Sequence, residues 1–114
     1  MQIDSTEFGS IVVNKKMYNS DVILSYKGKV EEASMYERHL ISEKEINILL
    51  EEHPEIIVIG TGQYGACEIS PSAIKAAKEK NVEIICLPTP KAINKFNELI
   101  RKNKKVVGYM HVTC

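Results

Sequence analysis

Ile56-Ile57-Val58-Ile59 running into Gly60-Thr61-Gly62-Gln63-Tyr64-Gly65 is the stretch on which the reading of this chain turns. Four consecutive β-branched apolar residues suit a strand covered on both faces, as in the interior of an α/β sheet. The six residues after them spell G-x-G-x-x-G, the spacing that brings backbone N–H groups and a helix N-terminus onto a dinucleotide pyrophosphate. Such a site needs the helix to begin inside the motif. Here the helix signal comes only at Ser70-Pro71, with Ala66-Cys67-Glu68-Ile69 in between. It also needs an acid at the end of the next strand for the ribose hydroxyls, and that position reads Ile85-Cys86-Leu87-Pro88-Thr89. The lysine of a phosphate-binding P-loop is missing too. An NAD or FAD site is therefore not expected, and no cofactor is assigned. The glycines instead permit positive φ, so that successive N–H groups converge on neighbouring backbone or on a small anion or carbonyl ligand.

Downstream the pattern is regular. Ser70 is an N-cap candidate followed by Pro71 at the first helical position, with Ala73, Ile74 and Ala77 as the buried stripe and Asn81 as a left-handed stop. Val82 to Leu87 reads as a second buried strand. Thr89-Pro90 repeats the cap-then-proline start, and Ala92, Ile93, Phe96, Leu99 and Ile100 form a long apolar stripe that ends near Asn103. Val106 to Val112 is apolar on both faces and belongs inside the sheet. Strand–helix–strand–helix–strand with short connections gives right-handed βαβαβ units, the last strand parallel to its predecessor. The Gly60–Gly65 loop, Pro88-Thr89 and His111-Val112-Thr113-Cys114 then share the carboxyl edge, where open α/β sheets place ligands.

Upstream, the chain is β-rich. Phe8 to Val13 reads as a short strand, Asn14-Lys15-Lys16 as a turn, Asp21 to Leu24 as a strand, and Tyr26 to Val30 as a further turn. Asp21 reads as a turn-forming residue ahead of its strand. Glu31 to Ile41 carries little pattern, although Tyr36, Arg38 and His39 would make a polar group. Ser42-x-x-Glu45 is a capping box, Ile46, Leu49 and Leu50 give a buried stripe, and Pro54 ends the helix with His53 in its last turn.

The 114 residues make one domain, residues 1–114, long enough to bury a core. Fifteen basic side chains against fifteen acidic ones leave no field for nucleic acid or an anionic membrane, and no apolar run approaches a membrane span. The local basic group Arg101, Lys102, Lys104 and Lys105 complements a helix C-terminus. No secretory signal is read ahead of Phe8, an opening with acids and no arginine argues against mitochondrial targeting, and three cysteines without a C-x-x-C pair suit a reducing cytosol, so the expected location is cytoplasmic. His111 and Cys114 on one strand would point to opposite faces, so no metal site is assigned. Cys67 beside the glycine loop is a buried thiol or, with His111 as base, a nucleophile. Asn97, close to the apolar stripe of its helix, is a buried hydrogen bonder or a site residue.

Five phrases in order resemble a known family: Phe8-Gly9-x-Ile11, Tyr18-x-x-Asp21-Val22-Ile23, Pro54-Glu55-x-Ile57-Val58-Ile59-Gly60-Thr61-Gly62, Thr89-x-x-Ala92 with Phe96-Asn97-x-Leu99, and His111-x-Thr113-Cys114. They are similar to the small Mth-type domain of unknown function, the family of the adipogenesis-associated Mth domain-containing protein and mitochondrial complex I assembly factor 3. The resemblance implies a three-layer α/β domain with a mixed central sheet and an N-terminal β layer. It implies no established reaction, and eukaryotic relatives described as assembly or regulatory factors. Tyr36, Arg38 and His39 match the family's aromatic–arginine–histidine segment loosely.

The expectation is a protein-interaction module that binds another protein and has no enzymatic activity. The alternative is a binding or catalytic site for a small anionic or carbonyl ligand, a small anion or metabolite, at the carboxyl edge, lined by Gly60, Thr61, Gly62, Gln63, Tyr64, Gly65, Thr89, Asn97 and His111.

Overall fold

The fold is described from a computed structural model covering residues 1–114. Its first layer is a three-stranded antiparallel sheet, β1 (Ile3–Glu7), β2 (Ser10–Val13) and β3 (Lys16–Tyr18). Asn14 and Lys15 both take positive φ, 50° and 67°, which makes the two-residue turn whose twist suits a β-hairpin. The predicted Phe8–Val13 strand is divided here. Phe8 sits in the β1–β2 turn with 59% of its surface exposed, and only Ser10–Val13 pairs. β1 carries no apolar pattern because Ile3 is its one buried side chain.

A second hairpin joins β4 (Asp21–Ser25) to β5 (Val30–Ala33), and the chain continues through β6 (Leu40–Ile41) into α1 (Glu43–Leu50). The predicted capping box closes: the Ser42 hydroxyl accepts the Lys44 N–H, and the Glu45 carboxylate accepts the Ser42 N–H at 2.6 Å. His53 lies beyond the helix, reversing the chain at φ 53°. There follow β7 (Ile56–Thr61), β8 (Glu68–Ile69), α2 (Pro71–Glu79), β9 (Glu83–Leu87), α3 (Thr89–Arg101) and β10 (Val106–His111). Ser70 caps α2 with Pro71 at its start, and Asn81 and Asn103 both take φ 58° as the predicted stops.

The central sheet has the order β5-β4-β10-β7-β9. β10 is parallel to β7 and antiparallel to β4, which makes the sheet mixed. The last strand runs in the same direction as β9, as expected, but inserts on the far side of β7 and becomes the centre. β9 is thereby left at the edge with its residues exposed or half-buried, which corrects its reading as a strand buried on both faces. α1 and α2 cover one face of the sheet over Ile57, Ile59, Val107 and Tyr109, while α3, through Phe96, and β1–β3 cover the other over Val58, Val106 and Met110. The three-layer α/β architecture with its βαβαβ C-terminal part is the one expected. No helix is long and apolar enough to cross a membrane.

Asn97 belongs to this packing and not to a pocket. Its Oδ1 accepts the Ile3 N–H at 2.9 Å and its Nδ2 donates to the Ile3 carbonyl at 2.8 Å, tying β1 to α3. Asn97→Ala leaves two buried backbone groups unpaired, and the expected cost is about 2–6 kcal/mol at the usual 1–3 per group. Urea unfolding checks the size. Amide exchange checks the place, because Ile3 should lose protection while β7 keeps it.

Candidate functional site

The glycine loop does not present a free nest of donors. Gly62 N–H donates to the Thr89 hydroxyl at 2.9 Å and Gly65 N–H to the Gly62 carbonyl at 3.2 Å. Gln63 N–H donates to the Thr113 carbonyl at 2.7 Å, and Tyr64 and Ala66 N–H both donate to the Cys114 carbonyl, at 3.0 and 3.3 Å. The expected anion or carbonyl cradle at this loop is thus filled by the chain's own Thr113-Cys114. The approach is close enough that a Cβ on Gly62, whose φ is +106°, would lie 2.2 Å from the Cys114 carbonyl carbon.

Thr89, expected to cap α3, is instead the first helical residue, after Pro88, and makes no cap bond. Its hydroxyl turns into the sheet, accepting Gly62 N–H and donating to the His111 carbonyl at 2.6 Å. Gln63 Nε2 reaches the Thr6 hydroxyl at 3.0 Å, and Tyr64 stands 79% exposed. Of the predicted pocket residues, Gly60, Thr61, Gly62, Gln63, Gly65 and Thr89 gather around the ends of β7 and β10 as a backbone clamp. His111 alone carries a chemically active side chain into a cleft.

That side chain is held by Asp21, which the sequence presents as a turn former. Asp21 is the first residue of β4 and only 8% exposed. Its carboxylate accepts the Tyr109 hydroxyl at 2.7 Å, the Val112 N–H at 3.0 Å and His111 Nδ1 at 3.0 Å. Tyr109 and His111 alternate onto one face of β10, which is why one carboxylate serves both. Burial and the Asp21 carboxylate push the Tyr109 phenol pKa up. In the neutral ring, a carboxylate acceptor at Nδ1 selects the tautomer with the proton there, which leaves Nε2 as the acceptor facing the Thr113 hydroxyl 3.0 Å away.

Arg38 and His39 join this group. His39 turns the chain at φ 58°, and its ring stands edge-on to His111 with centroids 6.5 Å apart. Arg38 Nε donates to His39 Nε2 at 3.2 Å, and His39 Nδ1 is buried without a partner. Tyr36 is on the surface, its N–H held by Glu45. An open cleft of about 510 Å³ runs over the cluster, lined among others by Ser20, Asp21, Ser34, Arg38, His111 and Thr113.

Cys67 is buried, and its thiol lies 3.4 Å from the Met35 sulfur. Burial, then the Asp21 and Glu45 carboxylates, push its pKa up to about 11, the reverse of what a nucleophilic cysteine needs. At pH 8, thiol reagents should therefore modify exposed Cys86 and leave Cys67 untouched until the protein unfolds, as peptide mass spectrometry would show. The same shift has a stability consequence. The unfolded thiol ionises near its ordinary value of 9.0, so stability should fall as pH rises from there toward about 11.

Asp21, Tyr109 and Thr113 are site residues that sequence reasoning misses. The signal available for Asp21 is a carboxylate opening a strand apolar enough to be buried, where an acid needs partners.

Residues 3–111 match the family model described as "Protein of unknown function (DUF498/DUF598)". Among solved structures, the conserved hypothetical protein PH1505 from Pyrococcus horikoshii OT3 aligns over 100% of both chains with TM-score 0.89 and 26% identity. A structure described as MT938 is 30% identical, with TM-score 0.84 over 99% of this chain and 98% of its own. A Bordetella pertussis protein described as a Mth938-like domain shares the fold at 16% identity, with TM-score 0.78 over 97% of this chain and 85% of its own. The family match over nearly the whole length agrees with the five sequence phrases: this chain belongs to the DUF498/DUF598 family of Mth938-like domains.

Proposed function

We propose that the domain binds a small ligand bearing a carboxylate, phosphate or carbonyl group in the cleft over Asp21 and His111. The observation that carries this reading is the combination at one cleft of a fully bonded buried Asp21–Tyr109–His111 network and Arg38 at its rim. The Arg38 terminal nitrogens make no hydrogen bond or ion pair within the chain. A guanidinium in that position offers two parallel donors to a carboxylate or phosphate.

Thermal melting with phosphate, sulfate, small carboxylates and nucleotides tests it. A ligand at a hundredfold its dissociation constant adds about 2.7 kcal/mol, and the midpoint rises with concentration. Arg38→Ala should abolish the rise while leaving the ligand-free midpoint unchanged, because Arg38 is exposed. The absence of any shift across that set, together with unperturbed His111 ring resonances, would overturn the reading.

A second reading, an interaction or assembly factor, is favoured by the pair Phe8 and Tyr64. They are 59% and 79% exposed with ring centroids 6.3 Å apart, and exposed aromatics of this kind anchor protein interfaces. Under it, complexes that the domain captures from an extract are lost on Phe8→Ser with Tyr64→Ser, and their retention would count against it. The three free cysteines suit a reducing cytosol for either role.

A further inference from the structure

We infer that Asp21, His111 and Thr113 form a nucleophile relay, with the Thr113 hydroxyl accepting an acyl group from a small ester whose acid portion carries a second, anionic group bound by Arg38. This rests on the ligand cleft proposed above and gives it a chemistry.

The geometry is that of an acid–imidazole–hydroxyl chain. Three donors converge on the Asp21 carboxylate, so His111 Nδ1 is the proton-bearing nitrogen and Nε2 is free to act as base. Nε2 lies 3.0 Å from Thr113 Oγ1, within the distance a general base needs. Both partners are anchored through their own backbones. The His111 carbonyl is held by the Thr89 hydroxyl, and the Thr113 carbonyl by Gln63 N–H. The glycine loop is accordingly a positioning device: its donors fix the segment that carries the nucleophile. Thr113 is half-buried and lines the cleft with Arg38, so a bound anion at Arg38 shares a cavity with the hydroxyl. Cys67 offers no competing nucleophile, being protonated and packed against Met35.

The steps balance without a cofactor. Thr113 Oγ1 attacks the ester carbonyl as its proton passes to His111 Nε2, and the new C–O bond forms. The ester C–O bond then breaks, and the imidazolium returns that proton to the leaving alkoxide, releasing the alcohol. Water attacks the Thr113 ester, giving a proton to Nε2. Collapse releases the acid, and the proton returns to Oγ1.

The probe is the mono-4-nitrophenyl ester of succinic acid, with 4-nitrophenyl acetate as the uncharged comparison. Wild-type protein should release 4-nitrophenolate in a burst and gain one succinyl group, located on Thr113 by peptide mass spectrometry. Thr113→Val should lose the burst, and His111→Gln and Asp21→Asn should slow it at least about 100-fold, as loss of a general base does. Thr113→Ser should keep it, which separates chemistry from folding. Arg38→Ala should slow the succinyl ester and shrink its advantage over the acetate, and an unchanged succinyl-to-acetate ratio would remove Arg38 from the site. Acylation elsewhere, or a burst that survives in Thr113→Val, overturns the relay. If succinate raises the melting midpoint yet Thr113 is never acylated, the relay falls and the ligand cleft stands. If neither occurs, both fall.

Discussion

Gly62→Val should cost about 2–6 kcal/mol, a large share of the 5–15 that holds a domain of this size. Two terms add. Valine at φ +106° pays the strain of a β-branched residue in left-handed backbone, about 1–3 kcal/mol. Its Cβ would also overlap the Cys114 carbonyl carbon, 2.2 Å away, so that Thr113-Cys114 must leave its place. Forced displacement of packed atoms costs about 1–3 kcal/mol more. The N–H groups of Gln63, Tyr64 and Ala66 then lose the carbonyls they now bind. Because the Cβ itself makes the clash, Gly62→Ala should show most of the loss. Urea unfolding measures both variants, and a change below about 1 kcal/mol would mean that the loop does not grip this segment.

Asp21→Ala is the second large effect, about 3–5 kcal/mol, the usual result of removing one member of a buried charged network. The Tyr109 hydroxyl, His111 Nδ1–H and Val112 N–H all lose their acceptor in a buried place. Asp21→Asn keeps one oxygen but turns an NH₂ toward donors. Its cost should fall between wild type and alanine, about 1–3 kcal/mol. Tyr109→Phe removes a single partner and should cost less than alanine at Asp21. An Asp21→Ala variant as stable as wild type would show that the three donors are satisfied elsewhere.

How much of this is legible in the sequence varies with the range of the interactions concerned. Ser42 with Glu45, Ser70 with Pro71, and the stops at Asn81 and Asn103 act within one helical turn, and the structure bears each of them out. Thr89 shows where such reasoning fails. Its sequence context says N-cap, but a buried carbonyl on β10 and the Gly62 N–H compete for the same hydroxyl and win. β1 and the exposure of Tyr64 are illegible in another way. A strand with one buried side chain, and an aromatic on an exposed loop, leave no periodic trace. In the site, His111 is identifiable from sequence, while its partners Asp21 and Thr113 read as parts of a turn and a terminal segment.

The sequence by itself determined that a doubly covered strand at Ile56 leads βαβαβ units, and that the glycine motif after it lacks the helix start and the acid of a dinucleotide site. These follow from periodicity and from neighbours a few residues apart. Only the tertiary structure decided what the motif holds and what His111 faces. Inserting β10 between β4 and β7 brings Asp21 to His111 across 90 residues of sequence and delivers Thr113-Cys114 into the glycine loop. Strand order is settled by burying both faces of the whole sheet at once, a sum over distant elements that no local pattern encodes.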